Sequence, residues 1–397
     1  MTLPTLTEWQ TMAAPDMTVG LARFLRDHCG KYVSVDRDPF DPTGCWKLTP
    51  GNWIGSIPLL GGEVLRIRPK LPVPSLLRLL DLAYGFNKLD FHPDITACDS
   101  IEDWFDRLVA HLVRQIRVRM RRGLYRAYIP RRERMSHVRG RLVLRPLITR
   151  PHDPTLVCDY HEHTPNIADN QILAWTMHLA ARCQACSTET RHQTQALARA
   201  LTQTVPLVPC SAHECLGRTY HRLNQDYEPL HIVCRLILDR LSPTWEAGDD
   251  RSLPFTLDMA ALFEEAVANW LKARLPTDRY RVVAQDRFTL GRTTDITYVA
   301  DIVIYDRQDG STLAVLDTKY KLAEDPSNAD VNQVLAYGMV LKASRVGLIY
   351  PQTLIRPIDT VVGSQHTHFK TLSFPVELTP DQAGQQLLDR LGLGEIR

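Results

Sequence analysis

Long apolar runs are missing from these 397 residues: no stretch approaches the roughly eighteen uninterrupted apolar residues that a membrane-spanning helix needs. The opening MTLPTLTEWQ has no basic region followed by an apolar run, so neither secretion nor membrane insertion is expected, and a cytoplasmic setting follows. A cysteine framework is missing too. The nine cysteines are odd in number and scattered, which argues against a disulfide-stapled domain and fits a reducing compartment. Cys183 and Cys186 make one Cys-x-x-Cys pair, with Cys210, His213 and Cys215 downstream, but the second half of a zinc pattern is absent. There is no internal repeat, no low-complexity tract and no glycine-rich P-loop, so no nucleotide is expected to bind to this chain itself. Acid is scarce in one place: between Arg107 and Arg150 the sole carboxylate is Glu133.

What is present there is arginine. Arg117, Arg121, Arg122, Arg131, Arg132, Arg139 and Arg141 stand out in a chain whose net charge is only +2. Such a block suits phosphates or an acidic protein partner, because guanidinium makes bidentate contacts; a solvated helix face would carry the same charges. At 44% hydrophobic and this length, the chain can bury two or three cores.

Three segments are expected. Residues 1–100 mix short strand-like runs (KYVSV, NWIGSIPLL, GEVLRIRPKL) with Pro and Gly, then an apolar helix, and read as a β-rich domain. Residues 101–250 read as mainly helical and basic, opening with an amphipathic helix on which Trp104, Leu108, Leu112, Ile116 and Met120 recur at helical spacing until Gly123. The Asp-, Pro- and Gly-rich stretch 242–254 is the linker candidate. Residues 251–397 read as an α/β domain: helix MAALFEEAVANWLKARL, strands YRVVAQDRF, TYVADIVIY and TLAVLDTKYKL, helix VNQVLAYGMVL and strand VGLIYP. The last strand, helix and strand should form a right-handed crossover with parallel strands.

The chemistry concentrates in that third segment. Alternation places Leu313, Val315, Asp317 and Lys319 on one strand face, so burial of the apolar start carries a carboxylate and an ammonium to the strand's end, about 6–7 Å apart between Cα atoms. A purely structural strand gains nothing from such a pair, which costs desolvation. Asp301, on the preceding strand, adds a second carboxylate, and two acids from adjacent strands suit Mg²⁺, with Mn²⁺ as a substitute. Lysine beside the metal can serve the attacking water and offset transition-state charge. Glu264 lies nearer the apolar face of its helix than Glu265 and is the third acid, although a solvated helix acid would look the same. Gln333 and Tyr337, four apart, share a helix face and can reach the lysine or a phosphate; a polar pair on a half-exposed helix has the same spacing.

The order helix Glu, strand Asp, strand Asp-x-Lys, helix Gln-x-x-x-Tyr resembles the PD-(D/E)XK nuclease superfamily, with Ala300 where proline usually precedes the first Asp. Further upstream, IRPKL at 67–71, VRGRL at 138–142 and CDYHEHTPNIADNQIL at 158–173 resemble the McrC family, nuclease subunits of modified-cytosine restriction systems, with His161 in place of an acid. The resemblance implies a restriction-endonuclease-like C-terminal domain and an N-terminal half that docks on a hexameric McrB-like AAA+ GTPase and stimulates it. It also implies cleavage of double-stranded DNA carrying modified cytosine, in a prokaryotic cytoplasm, with the arginine block as a docking stalk. Two other readings stay open on the residues: a non-cleaving activator of an AAA+ partner, and a stand-alone repair nuclease of the same superfamily.

Overall fold

The computed structural model describes residues 5–15, 17–37, 44–59, 63–86, 98–149, 154–241, 253–289, 296–321, 325–363 and 366–393. They form two compact units, one made of Met1–Ile101 with Thr256–Arg397 and the other of Glu102–Phe255. The segments expected from sequence as first and third both contribute to the first of these units. The physical reason is backbone pairing and helix packing between the chain's two ends. The Phe255–Asp258 strand extends a four-stranded sheet beside Trp53–Pro58, Val64–Arg68 and Leu6–Thr7. The Val73–Tyr84 helix packs on the Met259–Arg274 helix, where Asn269 Nδ2 donates to the Ala83 carbonyl at 2.9 Å. A second, three-stranded sheet of Met12–Ala14, Trp46–Pro50 and Val33–Arg37 carries the Val19–Cys29 helix.

The larger sheet of this unit has six strands, ordered Tyr280–Thr289, Thr297–Asp306, Thr312–Thr318, Arg345–Tyr350, Thr367–Ser373 and Asp359–Val362. The first three form an antiparallel meander, because the turn through Gly310 (φ 75°) lets the chain reverse. Thr312–Thr318 and Arg345–Tyr350 are parallel, joined through the Asn328–Leu341 helix, as the sequence pattern required. The core beside that helix is built from Val303, Val315, Val334, Val346, Leu348, Tyr350 and Phe369.

The second unit opens with the Ile101–Arg122 helix, which buries Trp104, Leu108, Leu112 and Ile116 while Met120 is half-buried; Gly123 (φ 90°) ends it. Helices Ala168–Ala180, Thr188–Thr202 and Tyr227–Arg240 pack together. Beside these helices the unit also holds a small three-stranded sheet. The basic block leaves the helix after Arg122 and continues as strand Ala127–Met135, which pairs antiparallel with Leu156–Thr164, itself paired with Arg141–Leu142. Pro130 breaks helix propagation, and alternating side chains suit a ladder better than a helix face. Gly140 (φ 71°) passes so close to this sheet that a Cβ there would collide with the Asp159 carbonyl. Most of the proposed linker, 242–252, lies outside the described residues. No helix among the described residues is long and apolar enough to cross a membrane.

Candidate active site

The meander brings the two strand acids together. The register that pairs Ile302 with Leu316 and Val303 with Val315 reaches, one residue further, Asp301 opposite Asp317. Ala300 is fully buried in the core on the sheet, opposite Asp286, so the small side chain fills the position where the resemblance expects proline.

Each acid is held differently. Asp301 Oδ2 accepts from the Thr318 amide at 2.8 Å and the Thr318 hydroxyl at 2.9 Å, which fixes its rotamer and leaves Oδ1 as the atom to face a cation. Asp317 is only 1% exposed. Its Oδ2 lies 2.6 Å from Lys319 Nζ, so the buried carboxylate is charge-paired with the ammonium. Burial first, then the Asp301 charge, push the Asp317 carboxyl up to about 6.

Lys319 lies just past the strand's end, where its amide donates to the Ile349 carbonyl at 2.8 Å. Burial works to lower its ammonium, but the hydrogen bond and charge of Asp317, with Asp330 and Asp301, outweigh this and hold it above its ordinary value. The ammonium also donates to Gln333 Oε1 at 3.2 Å, and Gln333 Nε2 donates to the Tyr337 hydroxyl at 2.9 Å. Tyr337 is wedged against Phe288 and Tyr298, so the four-residue spacing ends in a hydrogen-bonded relay from tyrosine to lysine.

Glu264 is half-buried on its helix and takes a hydrogen bond from Gln285. Burial, followed by the charges of Asp301 and Asp317, raises its carboxyl to about 7, so the third acid shares the field of the other two. Among the described residues no three such groups close into a ready cage. Magnesium rarely asks for one: it binds through one or two carboxylates and completes its shell with water and phosphate oxygens. The Asp301 and Asp317 pair, one carboxylate held by Thr318 and the other buried beside it, fits that demand.

Sequence reasoning missed three participants. Asp330 is 7% exposed, pairs with Lys321 at 2.9 Å and lies 3.8 Å from Lys319 Nζ. Burial would raise its carboxyl, yet hydrogen bonds from Lys321 and Ser327 keep it low. The signal was present, since Asp330 precedes Gln333 by three and shares its helix face. Gln285 adopts a positive φ of 51°, and Thr318 holds Asp301; no local pattern marks either.

The arginines fall into two groups in the other unit. Arg131, Arg132, Arg139 and Arg141 line one open cleft of about 830 Å³. There Arg132 pairs with Asp159 at 2.6 Å, Arg131 with Glu162 at 3.1 Å, and the Arg139 guanidinium lies 4.1 Å from the Tyr160 ring centroid. Arg117 and Arg121 border a smaller hollow, of about 270 Å³, against Ala196, Leu197 and Ala200, and Arg122 is exposed at the helix end. Apolar side chains share the strand region: Tyr128, Val138, Leu144 and Ile148 are 69%, 59%, 59% and 76% exposed.

Comparison with known proteins decides the family. The model of the McrBC 5-methylcytosine restriction system component family matches residues 48–351, well over half of the chain. The chain belongs to that family. A chain of the refined half-complex from the tetradecameric assembly of Thermococcus gammatolerans McrB AAA+ hexamers with bound McrC is similar, with TM-score 0.55 and 17% identity over 98% of this chain and 100% of that one. That likeness extends the shared fold over both units. A chain of the cryo-EM structure of the Thermococcus gammatolerans McrBC complex gives TM-score 0.41 and 18% identity over 69% of this chain and 88% of that one. No curated protein matches. As a McrBC-family component, the chain carries its candidate chemistry in the unit built from both chain ends, and the arginine cleft in the other.

Proposed function

We propose that this McrBC-family chain is the endonuclease subunit of a modification-dependent restriction system, cutting DNA with a PD-(D/E)XK site after an McrB-like AAA+ hexamer delivers it. The observation that carries the cleavage reading is the buried Asp317 carboxylate with Lys319 Nζ at 2.6 Å, opposite Asp301. A divalent cation, Mg²⁺ or Mn²⁺, bound there supplies a Lewis acid for the scissile phosphate and for water. Asp301 and Asp317 would hold it, and Glu264 would accept a proton or a hydrogen bond from the attacking water. Lys319 orients the attacking water and offsets charge on the phosphate, with Gln333 and Tyr337 fixing its direction.

The strand arm with Arg131, Arg132, Arg139 and Arg141 is the partner-docking surface, because arginine and exposed apolar side chains together suit a protein interface better than a bare phosphate track. Double-stranded DNA with modified cytosine is the substrate, and GTP hydrolysis belongs to the partner. Reconstitution with the AAA+ partner on a cytosine-methylated plasmid tests the reading. Cleavage should need Mg²⁺, partner and methylation together. Rapid cutting of unmethylated plasmid by the chain alone would instead favour a stand-alone repair nuclease, and GTPase stimulation without any cutting would favour a non-cleaving activator.

A further inference from the structure

We infer that Glu8 is a positioning residue for Lys319, acting through Tyr320, so that the turn after the Leu6–Thr7 strand sets the geometry of the active-site lysine. The inference rests on the reading of Lys319 as the group that serves the attacking water.

The strand carrying Asp317 ends at Thr318, and after the Lys319 amide bonds Ile349 the chain turns, with the Lys321 amide donating to the Lys319 carbonyl at 2.8 Å. Regular pairing therefore stops where the lysine begins. Tyr320 supplies the missing constraint. It is 9% exposed, packs on Phe263, the neighbour of Glu264, and donates its hydroxyl to Glu8 Oε1 at 2.9 Å.

Glu8 is itself immobilised. It is fully buried, its amide donates to the Arg68 carbonyl at 3.0 Å, and its Oε1 also accepts from the Lys70 amide at 2.7 Å. The adjoining Trp9 takes φ 62° and donates its amide to the Pro50 carbonyl at 3.1 Å, so the turn is tied to two sheets. The second oxygen, Oε2, is buried with no hydrogen bond. An unsatisfied carboxylate oxygen in a fully buried place costs desolvation, and a neutral acceptor would satisfy Tyr320 and Lys70 as well. What the acceptor oxygen does is join two segments: Lys70 closes the Arg-Pro-Lys stretch of the N-terminal segment, and Glu8 ties that stretch to the residue next to Lys319. Small displacements of a reacting group are expensive, about 100-fold in rate for roughly 1 Å.

The test uses the full chain with its AAA+ partner and methylated plasmid DNA, under single turnover. The variants are Glu8→Ala, Tyr320→Phe, Glu8→Gln and the control Lys319→Ala, each assayed at the same interval below its own Tm. Glu8→Ala and Tyr320→Phe should lower the saturating cleavage rate by about 10-fold or more, with the half-saturating DNA concentration changed by less than about 2-fold. Combining the two should add little, since both cut one connection. Glu8→Gln keeps an acceptor oxygen and should recover most of the rate. If the losses vanish once temperature is matched to Tm, Glu8 is only a stability anchor and the inference is overturned. Normal rates for Glu8→Ala and Tyr320→Phe beside a dead Lys319→Ala overturn it too, leaving the active-site reading intact. A Lys319→Ala chain that cuts normally sinks the active-site reading itself.

Discussion

On the proposed reading, Asp317 is a residue poor for stability and kept for its chemistry. It is buried, and burial together with the nearby Asp301 charge disfavours its ionised form. Asp317→Asn should abolish cleavage while raising the metal-free Tm at pH 8, by on the order of 1–2 kcal/mol of added stability, because the neutral amide escapes the charge penalty. Calorimetry and a plasmid assay on one preparation read both effects; a lowered Tm would show that the Lys319 pair outweighs desolvation. The pH dependence follows from the same cause. Asp317 and Glu264 have carboxyls raised to about 6 and about 7, so the folded state holds their protons longer than the unfolded chain does. Their contribution to stability is complete below about pH 4, where both states are protonated, and is lost as pH rises through 6 and 7. A cation must displace those protons, so the Tm gain from 5 mM-scale, roughly saturating Mg²⁺ should be small at pH 5.5 and larger at pH 8. An equal gain at both pH values would place the metal elsewhere.

At the scale of elements, the strand–helix–strand crossover aligns the site. The Asn328–Leu341 helix is started by Ser327, whose hydroxyl accepts from the Asp330 amide at 3.2 Å, and this places Asp330, Gln333 and Tyr337 toward Lys319 and the sheet. It lies tight on the sheet at Gly338, where a Cβ would collide with Val346 Cγ1. Gly338→Ala should therefore cost about 1–3 kcal/mol by overpacking and slow cleavage by shifting Gln333 and Tyr337. Adding Val346→Ala should restore part of the stability in urea titration. A neutral Gly338→Ala would mean that the helix can slide away without consequence.

For the whole molecule, the proposed reading gives the two units separable tasks. The acids and lysine belong to the unit made from both chain ends, and the arginine cleft to the unit from Glu102 to Phe255. Replacing Arg132 and Arg141 together by Glu should reduce stimulation of the partner's GTPase by about 10-fold or more, as buried charge contacts across interfaces do. The Tm should change little, because Arg132 is 67% exposed and its pairing with Asp159 is a surface ion pair. Asp317→Asn should leave stimulation unchanged. If the arginine variant stimulated normally, docking would have to use another face.

Much of this was legible in sequence because the signals were local. Period-two alternation located the strands with Asp301 and Asp317, and the 3.6-residue period located the helices with Glu264 and with Gln333 and Tyr337. The bias toward arginine was equally plain, but its form was not: Arg131, Arg132 and Arg141 lie on strands because Pro130 bars a helix there and Leu156–Thr164, some thirty residues on, supplies the ladder partner. Pairing between distant segments decided everything else. The sequence by itself determined which residue types could bind a hard cation and on which elements they would stand. Only the tertiary structure decided that Glu8 meets Tyr320, that Thr318 holds Asp301, and that residues 1–101 and 256–397 share one unit. Those contacts are fixed by hydrogen bonds and packing between residues up to about three hundred positions apart, which no periodicity along the chain records.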